Sequence, residues 1–231
     1  MANIQRQGIM KKLAFLLKLR THLAQNKPTI NNSSYPKDSG YTLIELLVVI
    51  IIIGILAGIA APGWLGFMNQ RRVTAANEVI LRALQEAQNL AKSRKLSYSV
   101  AFGTKDGVPA VAVYQRGTIP SGAEWRSLGQ DLSIEEGQIT VGTNLDDENN
   151  KTGNFDYTLS TITSNFDPTK KITFDYLGSI SPIGTDPTPL IIKVGVPPKG
   201  SLQPFPSTVR CVKVTTLLGA IQTGRGENNC Q

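Results

Sequence analysis

The polar and apolar positions of this 231-residue chain fall into three textures. From Leu46 to Ala61 the sequence reads LLVVIIIIGILAGIAA, sixteen residues without a charge. Extended back to Leu43, the run reaches nineteen residues, with Glu45 its one exception. As a helix, that length spans a hydrocarbon core of about 30 Å, a property shared by many signal anchors. Pro62 and Gly63 follow and predict a kink. From 64 to 95 the pattern becomes one-sided. Val73, Ala76, Ile80, Leu84, Ala87 and Ala91 recur at spacings of three and four, while Arg71, Glu78, Arg82, Gln85, Asn89 and Lys92 lie mainly off that stripe. The first half of the predicted helix is apolar all round and suits lipid or a bundle of like helices. The second half suits packing on a sheet.

Beyond Lys95 the period changes. SYSVAF (97–102), VPAVAVYQ (108–115), KITFDY (171–176), PLIIKVGV (189–196) and RCVKVTTL (210–217) are rich in β-branched and aromatic residues, bounded by Gly, Pro, Asn and Asp. The polar, Asn/Thr/Asp-rich segment 142–170 predicts a long surface loop with short strands at most. Pro197, Pro198, Pro204 and Pro206 mark another irregular connection. TTLLGAIQTG reads as two short strands turning near Gly219. The expected fold is α+β: a helix of about 55 residues, roughly 80 Å long at 1.5 Å per residue, transmembrane and then amphipathic, packed on a mainly antiparallel sheet.

Charge sharpens this picture. The formal net charge is +7, but residues 1–40 carry Arg6, Lys11, Lys12, Lys18, Arg20, Lys27 and Lys37 against Asp38 alone. The remainder is close to neutral, which gives little reason to expect a large polyanion-binding face. The excess of Lys/Arg ahead of the apolar run places the N-terminus in the cytoplasm and the C-terminal bulk outside. The sole histidine, His22, lies in that basic segment, so the chain beyond it offers no histidine for base catalysis or zinc. Asp146, Asp147 and Glu148 lack EF-hand spacing and read as a solvated loop. Cys211 and Cys230, the only cysteines, form a late pair without CxxC spacing; in an exported domain they read as a disulfide. No nucleophile–base pair, phosphate loop or metal cluster supports an enzyme, and no cofactor is expected.

Residues 40–45 read Gly-Tyr-Thr-Leu-Ile-Glu, directly ahead of the apolar run. This resembles the class III signal of type IV prepilins: a glycine before the cut, an aromatic first residue, and Glu at the fifth mature position. Pro62 falls where pilins commonly carry a helix-kinking proline. The resemblance covers 37–63 closely. It implies removal of a basic leader, 1–40, by prepilin peptidase between Gly40 and Tyr41, and N-methylation of Tyr41. It also implies a transmembrane and assembly helix over 41–63, an amphipathic helix over 64–95, and an exoplasmic β-rich head over 96–231, with the chain held single-pass in the inner membrane and later in a pilus or pseudopilus. The leader is long and contains KKLAFLLKLR (11–20), a cationic, leucine-rich stretch suited to a membrane surface. Met10-Lys11-Lys12 would also make an ordinary opening.

The residues themselves agree with the resemblance. A carboxylate inside a span is costly and needs a partner. Cleavage would supply one in the Tyr41 amine, of the same chain or of a neighbouring subunit, and such a pair would fix axial register. The region from Arg71 to Phe102 more loosely resembles the FimT/GspH group of minor pilins and type II secretion pseudopilins, together with the strand ITFDYLGSI and the terminal RCVKVTTLLGAIQTGRGENNC; Phe174, Gly178, Gly219 and Gly224 fit that pattern. The resemblance implies partnership with other pilin or pseudopilin subunits. Some FimT-type pilins carry a C-terminal Gly-Arg-x-Arg element for DNA. Here Gly224, Arg225, Gly226 and Glu227 stand there, with an acid in place of the second Arg, so DNA contact through Arg225 is the weaker alternative.

Overall fold

In the computed structural model the described residues are 40–164, 166–180 and 189–231, with the side chains of Ala61, Pro62 and Asp131 excepted. The proposed leader lies outside them apart from Gly40. One unit ends at Ile53 and a second begins at Gly54. A single helix, α1, is assigned without a break over Leu43–Arg94, so Pro62 ends no helix. Lys95 follows at φ 57°, a left-handed residue that turns the chain into the sheet.

Within the second unit all six residues of the expected stripe, from Val73 to Ala91, are fully buried, joined by Ala83. Small residues dominate this face, so the helix backbone approaches the strands closely. The larger Val73, Ile80 and Leu84 each contribute about 1.5–3 kcal/mol of burial. Among the described residues nine strands form two antiparallel sheets: β1 (Tyr98–Lys105), β2 (Val108–Gln115), β3 (Trp125–Ser127), β4 (Thr140–Asp147), β5 (Asn150–Asp156), β6 (Lys171–Phe174), β7 (Leu190–Gly195), β8 (Arg210–Val214) and β9 (Ile221–Arg225). The first sheet has order β3-β2-β1-β6 and the second β5-β4-β7-β8-β9. Asp106 and Gly107, both at positive φ, close the β1–β2 hairpin with the Asp-Gly pair such a turn favours. One core joins the helix stripe to Val100, Phe102, Ile172 and Phe174 of the first sheet and to Val141, Leu145, Leu190, Ile192, Val212 and Val214 of the second.

The expected loop over 142–170 is corrected. β4 and β5 occupy its first half as strands of eight and seven residues, and β4 lies inside the second sheet. Its polar residues are hydrogen-bonded as if they were backbone. Asn144 accepts from the Ile191 amide at 2.7 Å and donates to the Pro189 carbonyl at 3.0 Å. Asn149, at the β4–β5 turn, accepts from the Thr173 amide at 2.7 Å and donates to the Thr173 carbonyl at 2.8 Å. The Asn144 amide thus ties β4 to the start of β7 within the second sheet, the Asn149 amide ties that sheet to β6 of the first, and composition alone read both as loop. The later half of the segment folds over the outer face of the first sheet. Ile162 and Phe166 pack there against Ala101, Ala110, Ala112, Tyr114 and Trp125.

Candidate functional site

The N-terminal site is built by a local cap. Thr42 stands just before α1: the Leu46 amide donates to its carbonyl at 3.2 Å, and the Glu45 amide donates to its hydroxyl at 3.3 Å. Thr42-x-x-Glu45 is the capping-box spacing. Glu45 therefore occupies the first helical turn, where the aligned peptide dipoles favour a carboxylate. The sequence reading overlooked Thr42, although the T-x-x-E spacing was there to be read. Gly40 lies in open space, where an added Cβ would meet nothing within 4 Å, and Tyr41 is 86% exposed. Leu43–Ala60 is long and apolar enough to cross a membrane, and none of it is buried.

The second site is the carboxy-terminal end. Cys211 on β8 and Cys230 are joined as a disulfide, with Cα atoms 5.8 Å apart. Gly224 on β9 lies directly beneath it. A Cβ at Gly224 would stand 2.7 Å from both the Asn229 carbonyl oxygen and Cys211 Sγ, so no side chain fits there. The tail is held again by the Gly226 amide on the Val209 carbonyl at 2.8 Å and by Lys213 Nζ on the Asn229 carbonyl at 2.8 Å.

Glu227, the acid that the sequence sets where some FimT-type pilins carry a second arginine, does not stand free. It accepts a 2.5 Å hydrogen bond from Lys193 Nζ of β7. Lys193 is 2% exposed and sits 3.6 Å from the centre of the Phe155 ring. Sequence reading missed this lysine: it lies in PLIIKVGV, where the apolar pattern hides a single inward cation. Burial, followed by the charge of Glu227, pushes the nearby Tyr157 phenol up to about 12. The charge repulsion expected between Glu227 and a polyanion is thus largely spent on Lys193.

Arg225 is exposed on β9 and lies opposite Arg210 of β8, and neither makes an ion pair among the described residues. The family-pattern glycines 178 and 219 meet at one point, where the Gln88 amide donates to both their carbonyls, at 2.8 and 2.9 Å. Glu148 is engaged by Arg116 Nε at 2.7 Å, and no group of three His, Cys, Asp or Glu side chains able to hold a metal occurs among the described residues.

Residues 35–61 match the family described as the prokaryotic N-terminal methylation motif. The chain is 44% identical over 64 residues to the type IV major pilin protein PilA of Myxococcus xanthus, covering 28% of this chain and 29% of that protein. It is 32% identical over 93 residues to the type II secretion system core protein G of Pseudomonas aeruginosa, covering 40% of this chain and 62% of that protein. The match to the type IV narrow pilus major component PilA5 of Thermus thermophilus is 35% identical over 98 residues, 41% of this chain and 75% of the relative. The chain thus spans under a third of the first of these relatives and three quarters of the last. Agreement with PilA5 over most of that protein's length, together with the methylation motif across the capped start of α1, shows that this chain belongs to the type IV pilin-like family.

Proposed function

We propose that this protein is a minor pilin or pseudopilin: a structural subunit of a type IV pilus or type II secretion system, assembled through its N-terminal helix. The observation that carries this reading is the junction at Gly40. An open glycine and an exposed aromatic residue lead into a capped helix whose first eighteen residues are unburied and, except for Glu45, apolar. Prepilin peptidase cuts between Gly40 and Tyr41, and the new Tyr41 amine is methylated with its charge retained. The chain waits in the inner membrane with its head on the exoplasmic side. On assembly, Glu45 pairs with a Tyr41 amine and sets the axial register, because a slipped neighbour leaves a charge unpaired in apolar surroundings. Pro62 bends the helix. The similarity to core protein G supports the secretion branch, and that to PilA and PilA5 the pilus branch.

Intact mass of the envelope-extracted protein tests the first step. A mature chain starting at Tyr41, heavier by one methyl group, is expected; any other N-terminus refutes it. Glu45→Leu tests the second. Insertion is retained or improved, since a costly group is gone, but incorporation into fibres falls. A mutant that co-purifies with pili or pseudopili as well as wild type removes the register role.

A further inference from the structure

The membrane-anchoring reading leaves one surface of α1 unexplained. Trp64 and Phe67 are 65% and 57% exposed, with ring centroids 6.1 Å apart. Arg71 follows, exposed and without an ion pair among the described residues; the neighbouring Arg72 is half-buried, with its Nε enclosed and its Nη1 on the Asn69 side chain at 3.4 Å, and lies about 100° round the helix, off this face. At about 100° per residue, Trp64, Phe67 and Arg71 lie within about 60° of one another, roughly opposite the stripe from Val73 to Ala91 that packs on the sheets. The head therefore does not cover this face. We propose that it is a lipid-binding site: Trp64 and Phe67 seat at the interface of the leaflet on the head side, and Arg71 binds the phosphate of an anionic phospholipid there.

Length, side-chain direction and charge all point to that occupant. Leu43–Ala60 covers about 27 Å by rise per residue, just short of a hydrocarbon core, so the rings fall where aromatic belts form. Helical side chains lean toward the N-terminus, so Arg71 hangs back over the turn of Phe67 toward the membrane and not away from it. A second copy of α1 is poorly matched to this face. Between Glu45 and Glu78 the sequence has no acid, so a like helix offers Arg71 no counter-charge near its own level. Phosphate does.

The inference rests on membrane anchoring, and the experiment separates the two. The chain has two tryptophans, Trp64 and the buried Trp125, so Trp125→Phe leaves Trp64 as sole reporter. Where that variant folds poorly, subtracting the signal of Trp64→Phe from wild type gives the same readout. Full-length protein is reconstituted in phosphatidylcholine vesicles with and without phosphatidylglycerol. Flotation reads anchoring. Quenching reads depth and lipid preference, using lipids brominated near the headgroup or near the chain end, and aqueous iodide. Trp64 is expected to be quenched best by shallow bromines. Brominated phosphatidylglycerol should outcompete brominated phosphatidylcholine by about fivefold through Arg71, and that preference should vanish in Arg71→Gln while flotation persists. Floating protein with Trp64 open to iodide, or with no preference for phosphatidylglycerol, overturns the lipid site and leaves anchoring intact. Protein that fails to float overturns anchoring and the lipid site with it.

Discussion

Replacing Glu227 with Gln should destabilise the head more than replacing its buried partner Lys193 with Met. Lys193 is almost wholly enclosed, between Phe155 and the Glu227 carboxylate. Removing the carboxylate strands an ammonium. Breaking a fully buried pair from one side costs about 3–5 kcal/mol. Two features reduce that here. The Glu227 side chain is 36% exposed, so water can approach the gap, and the Phe155 ring retains part of the attraction, about 1–2 kcal/mol for a desolvated cation. The expected loss for Glu227→Gln is therefore about 2 kcal/mol. Lys193→Met keeps the volume, removes the desolvated charge, and leaves a carboxylate that water can reach. Its expected cost is below about 1 kcal/mol, with either sign allowed by the balance of desolvation and Coulomb terms.

The double variant should behave like Lys193→Met alone, so a double-mutant cycle should return a coupling energy of at least about 1 kcal/mol. For a chain of this size 1 kcal/mol moves Tm by about 2–4 °C. Thermal melts of the full chain in detergent, disulfide intact, should then show Glu227→Gln lower by about 4–8 °C and the other two near wild type. If Lys193→Met falls as far as Glu227→Gln, the lysine stabilises through packing and hydrogen bonding, and the stranded-charge reasoning is wrong.

Opening the Cys211–Cys230 loop by a double Ser substitution should cost about 3 kcal/mol in the chain-entropy account, and Gly224→Ala should mimic part of that loss by pushing against the bridge; non-reducing peptide mapping and denaturant titration read both. If both thiols alkylate in unfolded, unreduced protein, the bridge is absent. Arg225→Ala should change nothing measurable in gel shifts with DNA at physiological salt; tight, salt-sensitive binding by wild type that the variant loses would promote a DNA-uptake role. Acid stability should depend on Asp156 and Glu148. The Asp156 carboxyl is held low by Lys170, with help from the Thr158 amide; burial pushes Glu148 up, but hydrogen bonds from Arg116 and Thr173 outweigh it and hold it low. Both contributions are present above the ordinary carboxylate range near pH 4 and are lost as pH falls through the lowered values. Denaturant midpoints from pH 7 down to pH 2 should drop below pH 4, and Asp156→Asn should flatten that drop.

Periodicity carried most of the architecture. The stripe from Val73 to Ala91 was legible because a helix on a sheet must present apolar side chains every three or four residues, and all six are buried. The strand expected at 108–115 was legible for the analogous reason, and so was that expected at 210–217, which ends at Val214. β4 escaped because its burial is carried partly by Thr140, Thr143 and Asn144, which are buried with backbone-like hydrogen bonds available to them, and polarity alone reads as exposure. β3 escaped because three residues make no period. At the site, the junction proposed for cleavage is a contiguous word, and it lies within the methylation-motif match over 35–61. The Lys193–Glu227 pair joins residues 34 positions apart, and only the β7–β8–β9 register brings them together.

The two charged groups that matter most here illustrate opposite solutions to one problem. Lys193 meets its counter-charge within its own chain, and the surrounding β-sheet, disulfide and tail fix that meeting in advance. Glu45 has the Thr42 cap and a favourable helix terminus, but no cation beside it among the described residues. A head that satisfies its own buried charge asks for no neighbour at that charge. On the proposed function, a bare eighteen-residue stretch that is apolar except for an unpaired carboxylate needs one: lipid first, and then other subunits. On this argument, substitutions in the head should act chiefly on stability, and substitutions at Glu45 chiefly on assembly, because the missing half of that ion pair can be supplied only from outside the folded head.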